Sequence, residues 1–150
     1  MIRGYKENKI DRVMASMNAF PAEFILTGSR AYSELPIRDQ STDWDFFTIA
    51  SKSTEDFLVQ LGFVKTNDFV YGDPAIMQLY RFSWIRDQID VQVIAAGTDY
   101  LAKRIVHEHF LANPHELSDN KLMNKRIWSS RIALAVRAIT MTTESAIIIP

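Results

Sequence analysis

Leu26-Thr-Gly-Ser-Arg-Ala-Tyr32, followed by Ser41-Thr-Asp-Trp-Asp-Phe-Phe47, is the part of the chain on which the reading of its fold turns. Glu23-Phe-Ile-Leu-Thr27 is short, apolar and β-prone, and it runs into Gly28-Ser29, where the backbone can turn sharply. Asp43-Trp-Asp-Phe-Phe-Thr-Ile-Ala50 is rich in aromatic and β-branched residues and reads as a second strand. Side chains alternate along a strand, so Asp43 and Asp45 share one face and approach closely enough to repel. Such a pair is costly to bury unless it is hydrogen-bonded or holds a cation. Mg²⁺ is a suitable one, because it takes one or two carboxylates and completes its shell with water and substrate phosphates.

The two segments complement each other chemically. A glycine lets backbone approach a phosphate, a helix beginning at Ser29 would direct N–H groups toward it, and the Ser29 hydroxyl adds a donor. Arg30 follows immediately, either as a phosphate ligand or as a cation on the helix surface. A third element lies further on. In Ile89-Asp-Val-Gln-Val-Ile94 the residues Ile89, Val91 and Val93 form one apolar face, while Asp90 and Gln92 point the other way. A mid-strand carboxylate is disfavoured by propensity, so Asp90 is either solvated on an edge strand or placed for a purpose.

Around these segments the pattern is mixed. Ile10, Val13, Met14 and Met17 predict an amphipathic helix over 5–18 that ends before Phe20-Pro21. Pro36, Asp39, Gln40, Ser41 and Thr42 make part of 33–42 a loop. Ser53-Thr-Glu-Asp56 reads as a capping box for a helix over 54–61, with Gly62 just beyond its end. Segments 76–84 and 89–94 read as a hairpin around the polar turn Ile85-Arg-Asp-Gln88. Thr98 and Asp99 can cap a helix reaching about Leu111, and a last helix covers roughly 120–139. The whole predicts an α+β fold: one domain over 1–150, with a small mixed sheet flanked by helices and a helical C-terminal third.

Composition sets limits on function. The 150 residues are 47% hydrophobic and include no cysteine, so a core is affordable while disulfides and thiolate metal sites are excluded. The polar N-terminus does not resemble a signal peptide, and no apolar run approaches the ~20 residues of a membrane span. A cytoplasmic protein with no membrane partner is therefore expected. Residues 1–100 carry 10 Lys and Arg against 14 Asp and Glu, a net −4, whereas 101–140 carry 7 against 3, a net +4. The acidic part suits a metal. The basic part suits a triphosphate or a nucleic-acid backbone, or else Lys103, Arg104, Lys121, Lys125, Arg126, Arg131 and Arg137 simply solvate helix faces.

Gly-Ser after an apolar strand, Asp-x-Asp opening a second strand and a lone Asp in a later one together resemble the DNA polymerase β-type nucleotidyltransferase superfamily, in particular its minimal bacterial or phage-type members. The resemblance spans about Phe24 to Ile94. It implies the nucleotidyltransferase fold and a two-metal transfer of NMP from an NTP to an acceptor hydroxyl. Asp43, Asp45 and Asp90 would then be the catalytic residues and hold Mg²⁺ (or Mn²⁺), while Gly28, Ser29 and Arg30 bind the nucleotide. The connection from Gly28 to Asp43 is longer than in compact members, Ser33 stands where a second glycine is often found, and Trp44 is bulky between the two aspartates.

Two other classes compete with that reading: a silent relative that binds nucleotide or a protein partner, in the manner of an antitoxin or inhibitor, and a nucleic-acid-binding module. The acceptor (small molecule, protein or RNA) and the nucleobase are not written in the sequence. His107-Glu-His109 reads as surface polarity, because residues two apart on a helix diverge. Phe46, Phe47, Phe57, Phe63, Trp84 and Trp128 are expected in the core, with Trp44, Tyr71 or Tyr80 as candidates to border a nucleotide. Asp39, Asp73 and Asp87 read as turn formers, and the apolar end 146–150 is a candidate contact with the body or, in a homo-oligomer, with a second copy.

Overall fold

A computed structural model describes residues 2–21, 23–32, 43–66, 70–71, 79–95, 97–118 and 120–148. In chain order these residues form α1 (Ile2–Ala19), β1 (Ile25–Thr27), β2 (Trp44–Ile49), α2 (Lys52–Gln60), β3 (Val64–Lys65), β4 (Val70–Tyr71), β5 (Leu79–Arg86), β6 (Ile89–Ile94), α3 (Thr98–Ala112) and α4 (Lys121–Ile148). The fold is α+β, with a mixed sheet and a helical C-terminal part. Strands run in the order β1-β2-β6-β5-β3, and β4 pairs with β5 off that path. Only β2 and β6 are parallel; the other described pairs are antiparallel.

Strand alternation assigns the two faces. Phe46 of β2, Ile89, Val91 and Val93 of β6 and Trp84 of β5 pack with Val13 and Met17 of α1 and Leu58 of α2. On the other face Phe47, fully buried, meets the rings of Tyr100 and His107 of α3 at 6.0 and 5.4 Å. A second core cluster joins Tyr32 to Ala102, Val106 and Phe110 of α3 and to Trp128, Ile132 and Ala135 of α4. The expected core aromatics are buried, except Phe57, which is partly buried and stacks on Phe20 at 4.0 Å. Among the described residues no helix is long and apolar enough to cross a membrane.

Several boundaries differ from the sequence reading, each for a local reason. Helix α2 starts at Lys52 because Ser51, not Ser53, is its cap: the Thr54 N–H donates to Ser51 Oγ at 3.2 Å. Gly62 does end that helix, at φ +84°. The hairpin turn is tighter than expected, since β5 continues through Ile85 and Arg86 and Asp87 alone takes the left-handed φ of 51°. Gly97, not Thr98, precedes α3, and it provides no side-chain cap. Helix α4 runs nine residues past the expected end at 139, so the apolar tail joins it as far as Ile148. Strands β3 and β4, two residues each, were not foreseen. The expected loop at 33–42, the turn residues Asp39 and Asp73, and the side chains of Tyr71 and Tyr80 lie outside the described residues and side chains.

The cap assignment is measurable. Ser51→Ala should lower unfolding stability in urea by about 1 kcal/mol, whereas Ser53→Ala should cost no more than a few tenths. The reverse ranking would restore the cap to Ser53.

Candidate functional site

Register brings two of the three candidate carboxylates together. Asp45 of β2 is the direct partner of Asp90 on the parallel neighbour β6, and on its other side Asp45 pairs with Thr27 of β1. Laterally paired residues project to the same face, about 4.8 Å apart from strand to strand, so both aspartates rise from the α3 side of the sheet. Both are half-buried, and Asp90 Oδ1 is shielded from solvent. Asp43 precedes β2 and is exposed. The carboxylates therefore form a tight pair with Asp43 at the rim. Among the described residues no group of three or more Asp, Glu or His side chains is assembled to hold a metal ion.

Gly28 sits against this pair. Its φ is +73°, and a Cβ built on it would lie 2.6 Å from Asp45 Oδ2, so an alanine there would be strained by conformation and would collide with the carboxylate. Only glycine fits the close approach. The helix expected from Ser29 is a single 3₁₀ turn over Gly28–Arg30, closed by the Ala31 N–H donating to the Gly28 carbonyl at 3.0 Å. A turn this short has little macrodipole, so what it offers an anion is backbone proximity. Ser29 and Arg30 are half-buried in this turn, and the Arg30 guanidinium lies 4.2 Å above the Trp44 ring. Trp44 alternates with Asp45 and packs against the opposite core, so the bulk between the two aspartates lies on the other side of the strand.

Next to the pair runs a buried polar chain that the sequence reading missed. Thr27 Oγ1 lies 3.1 Å from Tyr32 Oη, which lies 3.0 Å from His107 Nδ1. All three residues are buried, so His107 is a core residue and the surface reading is corrected. Burial, reinforced by the nearby Lys103 and Arg104 charges, lowers the His107 pKa to about 4, so the ring is neutral at pH 7. In the tautomer with Nε2 protonated, Tyr32 donates to Nδ1 and accepts from Thr27. A pattern signal existed: 103, 107 and 110 are spaced as one helical face with the core residue Phe110. His109, by contrast, pairs with Glu116 at 2.9 Å, and this bond, followed by that of Arg131, holds the Glu116 carboxyl below its ordinary range.

The basic C-terminal half is not one uniform cationic surface. Lys103 is buried, with its Nζ 4.1 Å over Trp128 and 5.5 Å over Phe47. Arg104 pairs with Glu23 and Glu108, and Arg131 with Glu116. Lys125, Arg126 and Arg137 are exposed on α4, while the Lys121 side chain lies outside the described ones. In comparisons with known proteins, no family model matches the chain, and no curated protein or solved structure matches it either.

The His107 environment fixes the sign of a pH effect. Between about 4 and 6.5 the unfolded histidine binds a proton that the folded one refuses, so stability rises with pH across that window and is fully present above it. The shift corresponds to roughly 3 kcal/mol. Urea unfolding of wild type and His107→Gln at pH 7 and pH 5 should show the wild type losing more stability on acidification. Parallel losses would contradict the burial of a neutral histidine.

Proposed function

We propose that the protein is a nucleotidyltransferase that moves NMP from an NTP to an acceptor hydroxyl. In this reading Asp45 and Asp90 would hold Mg²⁺ (or Mn²⁺), and the Gly28–Arg30 turn would receive the triphosphate. The observation that carries the reading is the in-register Asp45–Asp90 pair with Gly28 closed onto Asp45. Repulsion between half-buried carboxylates on neighbouring strands is relieved by a divalent cation. Two carboxylates suit Mg²⁺, which takes its remaining ligands from phosphate and water. Bound there, the metal supplies charge neutralisation for the triphosphate and acidifies the acceptor hydroxyl.

The chain's own groups divide the remaining work. Asp45 would hold the metal beside the turn, Gly28 leaves room for that carboxylate, and Ser29 and the backbone of the turn would meet the phosphates. The Arg30 guanidinium lies over Trp44, whose side chain is on the opposite face of β2, so the backbone of Arg30 and not its charge borders that approach. Asp90 stands on the strand farther from the turn and is placed to orient the acceptor and take its proton. The acceptor oxygen attacks the α-phosphorus, the bond to the bridging oxygen breaks, and pyrophosphate leaves with the bonding electrons. Most of the acceleration then comes from positioning and from charge placed in advance.

One observation favours a second reading, a relative that binds nucleotide without transferring it: Asp43 is exposed outside β2, and the described residues assemble no three-carboxylate group. Transfer of radiolabel from α-labelled NTPs to cell extract, with Mg²⁺ or Mn²⁺, separates the two. Wild type should label an acceptor and gain melting temperature with Mg²⁺ and NTP. Asp45→Asn and Asp90→Asn each remove one of the two carboxylates that would hold the metal, so each should reduce the Mg²⁺-dependent thermal shift and lose transfer by on the order of a hundredfold or more. In metal-free buffer neither variant should be less stable than wild type, since each relieves repulsion. A thermal shift without transfer from any NTP would establish the silent relative. No shift at all, or Asn variants that lose several degrees without metal, would remove the nucleotide reading.

A further inference from the structure

The carboxylate pair belongs to a row of partners that crosses the whole sheet. Thr27 of β1 pairs with Asp45, Asp45 with Asp90, Asp90 with Ile85 of β5, and Ile85 with Val64 of β3. Residues paired in this way share one face, so Ile85 stands one strand spacing, about 4.8 Å, beyond Asp90, and Val64 stands a second spacing beyond that. The two ends of the row differ. Thr27 is 3% exposed and hydrogen-bonded to Tyr32, whereas Ile85 is 41% exposed and Val64 67%. On the Asp90 side the row thus ends in an open ledge of two aliphatic side chains.

We infer that the Ile85–Val64 ledge seats the acceptor, and that the acceptor is an uncharged hydroxyl compound with an apolar face, of which a phenol is the simplest form. The inference rests on the nucleotidyltransferase reading, because it uses the geometry of in-line displacement: attacking and leaving oxygens occupy opposite sides of the phosphorus. With the triphosphate on the Gly28 side, the attacking hydroxyl enters from the Asp90 side, and the body that carries it lies over Ile85 and Val64. Hydroxyl and apolar face then meet Asp90 and the ledge within two strand spacings, about the breadth of a phenol with its substituent.

Charge argues against a nucleic-acid strand in this seat. A strand needs cations along its phosphates, and the row carries none. Of the described side chains beside it, Lys65 and Arg86 project from the opposite face and are engaged there: Lys65 lies over Trp84 at 5.6 Å and pairs with Glu55, while Arg86 donates to the Leu61 carbonyl and lies 3.6 Å from Asp87. The carboxylates of Asp45 and Asp90 would in addition repel a polyanion drawn along the row.

The test is a methyl NMR titration of the full chain with N-acetyltyrosinamide, an uncharged phenol, without nucleotide, accompanied by Mg²⁺–NTP binding on the same sample. The Ile85 and Val64 methyls should shift, and the uncharged substitutions Ile85→Gln and Val64→Gln, both at exposed positions, should each weaken phenol binding about tenfold while leaving Mg²⁺–NTP binding unchanged. Unshifted methyls, or equal affinity in both variants, would overturn the ledge even where NTP binds. A short single-stranded RNA that moves the same methyls more strongly would overturn it in favour of a strand end. Phenol binding at the ledge in a protein that binds no NTP would leave the seat standing and sink the nucleotide reading instead.

Discussion

Much of this structure follows from the register of β2 on β6. These two strands are distant in sequence and parallel in space, and their alignment puts Asp45 directly beside Asp90. The alignment is held from the opposite face, where Phe46 packs with Val91 and Val93 against α1 and α2. A slip of one residue would carry those side chains across the sheet and take the aspartates with them, so the apolar core and the carboxylate pair are fixed by the same choice. The apolar packing on the opposite face therefore fixes where both aspartates stand.

The surroundings of the pair are asymmetric, and this gives the site a direction. Toward β1 the neighbour is a glycine turn with no room for a side chain, supported by the buried Thr27–Tyr32–His107 chain that ties it to α3. Toward β5 and β3 the neighbours are aliphatic and open to solvent. In the proposed function the first side would meet the triphosphate and the second the acceptor. Helices α3 and α4 reinforce the division, because their aromatic cluster is built around Tyr32 and Phe47.

How much of this was legible depended on whether the signal was local. The alternation in Ile89–Ile94 reported its two faces without error, because an apolar-polar repeat is written residue by residue. That β2 lies parallel to β6 was written nowhere locally; only the resemblance to a known superfamily suggested that the aspartates meet. Strands β3 and β4 are too short to leave a pattern, although β3 supplies Val64. His107 was misread because the polarity of His107-Glu-His109 was weighed without the face that Lys103, His107 and Phe110 share. Ser53 drew the cap assignment through its acidic residue three positions on, yet Ser51 has the extended backbone and the hydrogen bond that a cap requires.

The central claim is that the Asp45–Asp90 pair is a divalent-cation site facing a nucleotide. It is tested most directly by crystals grown with Mn²⁺ and a non-hydrolysable NTP and examined by anomalous scattering. The account predicts a manganese peak within coordination distance of carboxylate oxygens from both Asp45 and Asp90, with the triphosphate reaching from it to the Gly28–Arg30 turn. A peak bound only by Asp43 or elsewhere on the chain, or nucleotide density away from the turn, would contradict it.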